Sequence, residues 1–213
     1  EFYENDSASG PTIAANSSDL DSGDNQRIAT SETPQSMYTD GVKSSYADYS
    51  DAAIVVITRI GGEGFDLPRY QGTTEGAASP DSHYLELDAN ERDLLETVCG
   101  AGFEHVIVLF NIPSSFEAAF LTDPSYAAFA DRIDAAIWVG FTGSTGIMAL
   151  GDILKGEVNP SGRLVDTWVA DFSKDPTFVN FGTGCTPDST DKYDGGTYYF
   201  VDYEESVYVG YRY

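Results

Sequence analysis

Three short apolar runs, DAAIVVITR (residues 51–59), HVIVLFN (105–111) and DAAIWVGF (134–141), alternate with stretches of helical period. Each run reads as apolar on both faces, as strands of a parallel sheet are when helices cover them. Between the first two lies LELDANERDLLETVCGAG (85–102), a helix with Asp88 as its cap. Glu91 follows three residues later, as a capping box requires, and Leu94, Leu95 and Val98 form the inner stripe. Gly100 or Gly102 is placed to stop it. A further helix is predicted over STGIMALGDILKG (144–156), and a short one over TDGVKSSYADYS (39–50) with Thr39 or Asp40 as cap. PSSFEAAFL (113–121) and SYAAFADRI (125–133) read as short helices, and GRLVDTW (162–168) as a fourth strand. Strand–helix alternation of this kind specifies an α/β fold: a mostly parallel sheet with helices on both faces. The aromatic tail TYYFVDYEESVYVGYRY (197–213) alternates only partly and reads as antiparallel or edge-like.

Residues 1–36 differ from the rest. They are rich in Ser, Asp, Asn and Gly, with isolated apolar residues and no sustained period. They read as loop or disorder, with short ordered pieces around Phe2–Tyr3 and Ile13–Ala15. A structureless lead of this length is unusual within a compact domain, which points to a natural chain that starts earlier. The expected organisation is a loop-rich, partly disordered lead over 1–36 and one α/β domain over 37–213.

The charge balance narrows the function. Against 35 Asp and Glu stand 11 Lys and Arg, a formal net charge of −24. Such a surface repels phosphate backbones and anionic membranes, so neither nucleic acid nor membrane is an expected partner. Cys99 falls in a helical pattern as a small buried hydrophobe, and Cys185 sits in a Gly/Thr/Pro loop. These cysteines with His83 and His105 match no zinc spacing, so no metal and no cofactor is expected. No apolar run is long enough to span a membrane. The chain opens without a basic and apolar leader, so this segment carries no secretory signal, and the compartment stays open with the cytoplasm weakly favoured.

The chemistry centres on ITRIGGEGFDLPRY (57–70), where Glu63 stands among Gly61, Gly62 and Gly64 just after the first strand. In an open parallel sheet, ligands gather at the carboxyl ends of strands. A carboxylate there can act as a general acid, or it can be one more solvated loop glutamate in an acidic chain. Arg59 and Arg69 flank the loop, where they can fix its shape or line the outer cleft; as surface arginines they have an equally good structural explanation. Asp66 could pair with either. A dinucleotide fold is excluded, since Gly62-x-Gly64 is followed by neither a third glycine nor a helix. GFTGSTG (140–146) follows the third strand and opens a helix, so its amides could hold an anion, but no Lys-Ser/Thr pair follows. It is not a nucleophile elbow, because Ser144 lacks glycines two residues away on each side. Tight strand-to-helix packing explains those glycines better. Ser-His-Asp catalysis would rest on His83 or His105, and the latter opens a buried strand.

DAAIVVITRIGGEGFDLPR, LELDANERDLLETVC, VIVLFN, GIMALGDILKGEVNPSGRLVDTW and YEESVYVGYRY together resemble the C-terminal α/β-sandwich domain of glycoside hydrolase family 3. The resemblance runs from about Tyr38 to Tyr213, and GDILKGEVNPSGRLVDTW and VYVGYRY are its specific stretches. That family contains β-glucosidases and related exo-acting β-glycosidases. It implies that Glu63 is the acid/base, Gly61 standing where the family's SGEG loop commonly has serine. It further implies a retaining mechanism on a β-linked glycoside or oligosaccharide, with Arg69 a candidate substrate-binding residue. The nucleophile would be an aspartate in an SDW-like motif on a separate (β/α)8 barrel. No such motif occurs here, and the barrel's Lys-His sugar-binding pair and an LLKN-type first strand are lacking too. The chain therefore reads as a segment of a larger enzyme, inactive when isolated, with the missing barrel as its partner. The competing expectation is a non-catalytic interaction or scaffold module.

Overall fold

The computed structural model describes residues 32–59, 70–71, 76–175 and 205–212. Its centre is a three-stranded sheet in the order β1-β2-β3, formed by Ala52–Thr58, His105–Asn111 and Ala135–Trp138. All neighbours are parallel. Ala52 to Thr58 lie opposite His105 to Asn111, and Ile107 to Phe110 opposite Ala135 to Trp138. The α/β fold with a parallel sheet is thus as the alternation of elements predicts.

Among the described residues, three α-helices accompany the sheet: α1 (Asp40–Ser45), α2 (Ala89–Gly100) and α3 (Gly143–Leu154). Helix α1 begins at Thr39, whose hydroxyl accepts from the Val42 amide at 3.3 Å. Helix α2 starts with the predicted capping box. Asp88 accepts from the Glu91 amide at 2.7 Å, and Glu91 accepts from the Asp88 amide at 2.9 Å. It ends at Gly100, and Gly102 takes φ +88°, the left-handed conformation that glycine adopts without penalty after a helix.

The core lies between α2 and one face of the sheet. Leu94, Leu95, Val98 and Cys99 meet Val55 and Ile57 of β1 and Val106, Val108 and Phe110 of β2. Cys99 is the buried hydrophobe its pattern predicts, and Cys185 lies outside the described residues. The opposite face is open along β1, where Ile54 is 48% and Val56 44% exposed, whereas Leu109 of β2 on that face is 4% exposed. Expected burial of β1 on both faces is therefore corrected to burial on one. Its apolar run is continuous, but only alternate side chains find a packing partner.

Three other predictions change. Residues 113–121 and 125–133 form single 3-10 turns at Ala119–Leu121, Pro124–Tyr126 and Ala130–Arg132, not α-helices. Each is too short to nucleate a helix, and Pro124 disfavours helical geometry at Asp123. They are held instead by Phe116, Phe120 and Phe129, whose rings pack in a chain against Phe110. GRLVDTW is not a strand. It has no pairing partner among the described residues, and Val165 is 87% exposed. Trp168 alone turns inward, its ring 5.0 Å from that of Phe110. In the tail, residues 205–212 form turns, not an edge strand, and 197–204 lie outside the described residues. Among the described residues no helix is long and apolar enough to cross a membrane.

Candidate active site

The carboxyl edge of the sheet is formed by Thr58 and Arg59 at the end of β1, Asn111 and Ile112 at the end of β2, and residues 139–142 after β3. Glu63, the expected acid/base, and Arg69, the expected substrate-binding residue, lie outside the described residues, as does Asp66. The structure does describe what stands on either side of that segment.

Arg59 is not a surface arginine. It is 1% exposed, and all five of its side-chain N–H groups are engaged. Nε donates to the Tyr84 carbonyl at 2.7 Å and Nη1 to that of Thr58 at 2.8 Å. Nη2 donates to the Glu86 carbonyl at 2.9 Å. The two remaining donors form a fork on Glu91, at 2.6 and 2.9 Å. The Tyr84 and Phe116 rings lie 5.0 and 5.1 Å from the guanidinium carbon. Burial alone would lower the Arg59 pKa, but the Glu91 carboxylate outweighs it and keeps the group charged. With no donor left over, Arg59 cannot line a cleft. Its role is to fasten the end of β1 to the first turn of α2.

Asp88 shares this buried cluster. Burial first, and then the charge of Glu91, raise its pKa to about 7, although the Glu91 amide and Arg59 pull the other way. Glu32 is raised mainly by burial as well, and its backbone carbonyl accepts from Asn90 at 3.0 Å.

Tyr70 and Gln71 stand on the far side of the undescribed segment. Tyr70 forms an antiparallel bridge with His83. Gln71 is buried, and its amide nitrogen donates to the carbonyls of His83, Glu86 and Leu87 at 3.0, 3.4 and 3.4 Å. Its side-chain oxygen accepts from the Ala78 amide at 2.7 Å, and its backbone amide donates to Ser82 at 2.7 Å. His83 lies 3.0 Å from Glu117 through Nδ1, and Glu117 also accepts the Phe172 amide at 2.7 Å. Burial raises the Glu117 carboxyl, and those two contacts partly offset it.

Among the described residues, His83, Glu117 and Asp171 form one group with donor atoms within 4.8 Å of one another. Their oxygens already have partners. Glu117 takes Phe172 and His83, while Asp171 takes the Ser173 amide at 2.9 Å and Lys174 at 3.2 Å. The group is accounted for as a hydrogen-bonded clasp between three segments. His105 opens β2 with its ring largely exposed, 3.7 Å from Asp134. The ring of His83 pairs with Glu117 and that of His105 with Asp134, so each histidine faces a carboxylate.

Gly140 takes φ +57°, and a Cβ there would stand 3.4 Å from the Trp138 ring. That spacing is ordinary van der Waals contact, so it is the positive φ that favours glycine at this position. The predicted strand-to-helix packing goes no further, since α3 has no buried residue. Sequence reasoning missed Gln71 and Glu117, which carry no local signal. It found Glu91 for its capping role alone.

The chain matches the family profile described as the Glycosyl hydrolase family 3 C-terminal domain over residues 12–211, reaching back into the stretch read as a lead. It is 30% identical over 179 residues to Beta-glucosidase A of Butyrivibrio fibrisolvens, covering 78% of this chain and 19% of that protein. It is 29% identical over 133 residues to Thermostable beta-glucosidase B of Acetivibrio thermocellus, covering 62% of this chain and 15% of that protein. Among solved structures, a beta-glucosidase from Paenibacillus barengoltzii superposes with a TM-score of 0.55 at 32% identity. That match covers 73% of this chain and 15% of the other. The chain thus spans less than a fifth of the length of these relatives. With the profile covering nearly all of it and a parallel α/β fold shared with a solved relative, the chain belongs to the glycosyl hydrolase family 3 C-terminal domain family.

Proposed function

We propose that this chain is the acid/base-bearing domain of a retaining, exo-acting β-glycosidase that removes terminal β-linked sugars. The observation that carries the reading is family membership over residues 12–211, with a Gly-Gly-Glu-Gly stretch directly after the first strand of the sheet. Glu63 is the proposed acid/base and Arg69 a proposed substrate-binding residue. The nucleophile is an aspartate on a (β/α)8 barrel outside this chain. Retaining glycosidases hold their two carboxyl groups about 5–5.5 Å apart. The barrel aspartate attacks the anomeric carbon while Glu63 protonates the departing oxygen. Glu63 then takes a proton from the water that releases the sugar. No cofactor enters the reaction, and the partner is the barrel of the same protein.

Replacing Glu63 in the full-length enzyme tests this directly. Glu63→Gln is expected to slow glycosides with poor leaving groups by about 10²–10⁴-fold, the usual scale of general acid catalysis. Activated aryl glycosides are expected to slow less and to be partly rescued by azide. Equal losses on both substrates without rescue would remove Glu63 from the role. The isolated chain is expected to turn over no aryl β-glucoside, and robust turnover would overturn the two-domain site.

A non-catalytic interaction module draws on one observation: Ile147, Met148 and Val165 form exposed apolar surface. A catalytic domain packed on a barrel has the same need for such a surface. Activity of the full-length protein that disappears with Glu63→Gln decides for catalysis.

A further inference from the structure

We propose that Phe141, at the carboxyl end of β3, is a substrate-binding residue on which the sugar of the departing group stacks, an assignment that rests on the reading of this chain as the acid/base-bearing domain of a retaining β-glycosidase. In that reaction the nucleophile and the acid flank the scissile bond, with the acid on the side of the departing oxygen. The domain that carries the acid therefore faces the departing group, while the barrel faces the terminal sugar.

Phe141 lies two residues past Val139, whose amide donates to the Phe110 carbonyl at 3.0 Å and continues the β2–β3 pairing to its carboxyl edge. Ligands of an open parallel sheet gather at this edge. The ends of β1 and β3 stand about 10 Å apart there, two strand spacings. The Phe141 ring is 55% exposed and takes no part in the core formed by the described residues. Its backbone is nonetheless held. Gly140, just before it, is buried and packs against the Trp138 ring, and the Trp138 indole N–H donates to the Ile112 carbonyl at 2.9 Å. Just after it, the Thr142 carbonyl accepts from the Gly146 amide at 3.1 Å. An aromatic ring on a fixed backbone offers a large contact area at low cost in conformational entropy.

The chemistry around the ring selects the occupant. Ser144 and Thr145, close by in the chain, are exposed, so hydroxyls border an apolar face. A pyranose has the matching pattern, with C–H groups on its ring face and hydroxyls around its rim. It is also neutral, and a chain of net charge −24 disfavours an anionic occupant.

The test uses the full-length enzyme with Phe141→Ala and Phe141→Tyr. It compares kcat/KM for cellobiose, whose departing group is a sugar, with that for methyl β-glucoside, whose departing group is too small to stack. Phe141→Ala is expected to lower the cellobiose value about tenfold, the scale of one ring face of apolar contact, and to do so mainly through KM. The methyl β-glucoside value is expected to stay within about twofold. Phe141→Tyr keeps the ring and is expected to keep both values. Equal losses on the two substrates, or no loss on cellobiose, overturn the proposal. So does a Phe141→Ala enzyme that fails to fold, since the ring would then serve packing, and so does a wild type that cleaves neither glucoside. Glu63→Gln is measured alongside on dinitrophenyl and phenyl β-glucosides. If it slows both equally, the acid/base reading fails and takes this assignment with it. If it slows the phenyl glucoside more while Phe141→Ala shows no preference for cellobiose, the stacking role alone fails.

Discussion

Helices α2 and α3 are each twelve residues long and each lies next to a strand in sequence, yet they are used differently. Helix α2 is amphipathic, begins with a full capping box and buries six residues. Helix α3 is the more apolar in composition and buries none, with Met148 77% and Ile147 49% exposed. Apolar composition therefore does not decide burial. A helix is buried when a matching face exists, and the sheet presents one to α2 through Val55, Ile57 and Val108. The partner that would cover α3 is not among the described residues.

The comparison can be broken most forcefully at the Arg59–Glu91 pair, which ties the α2 half together. Glu91→Ala leaves a buried guanidinium without its counter-charge. It is expected to cost about 3–5 kcal/mol, read from urea denaturation. A cost under about 1 kcal/mol would mean that the fork is not a determinant of this half. Leu95→Ala, at a fully buried site on α2, is expected to cost about 2–5 kcal/mol by the same measurement.

A subtler effect is expected with pH. The folded state raises the Asp88 pKa from 3.8 to about 7, so it holds a proton that the unfolded chain has already released. The stability linked to this group is fully present below about pH 4 and is lost as pH rises toward 7. Glu32 and Glu117, also raised, act in the same direction. Glu91 and Arg59 are the charged groups facing Asp88, and the Glu32 backbone also hydrogen-bonds to it. Asp88→Asn keeps a capping oxygen and is expected to flatten Tm between pH 4 and 7. An unaltered slope would assign the pH dependence to other carboxyls. The smallest effect belongs to α3. Met148→Ala is expected to change the stability of the isolated chain by no more than about 0.5 kcal/mol. A loss matching that of Leu95→Ala would erase the distinction between the two helices.

Local signals were readable in proportion to how local their physics is. The capping box spans Asp88 to Glu91, and both hydrogen bonds form between those residues, so sequence spacing alone revealed it. Strands β1 and β2 were visible as runs of β-branched residues. GRLVDTW, apolar only at Leu164, Val165 and Trp168, failed as a strand, because strands form by pairing and a sequence does not display its partner. The 113–133 region failed as helix for a related reason: its phenylalanines are satisfied by one another across three turns, without a helical face. Arg59 was misread as exposed because its position beside a glycine-rich stretch suggests solvent.

The sequence by itself determined the succession of β1, α2, β2, β3 and α3, the cap of α2 and family membership, because each is written in neighbouring residues or in a long run of matched positions. Only the tertiary structure decided that Arg59 is buried on Glu91, 32 residues away, and that Gln71 meets it at the Glu86 carbonyl. A buried charge takes whichever counter-charge the packing brings within hydrogen-bond reach, and that choice belongs to the fold.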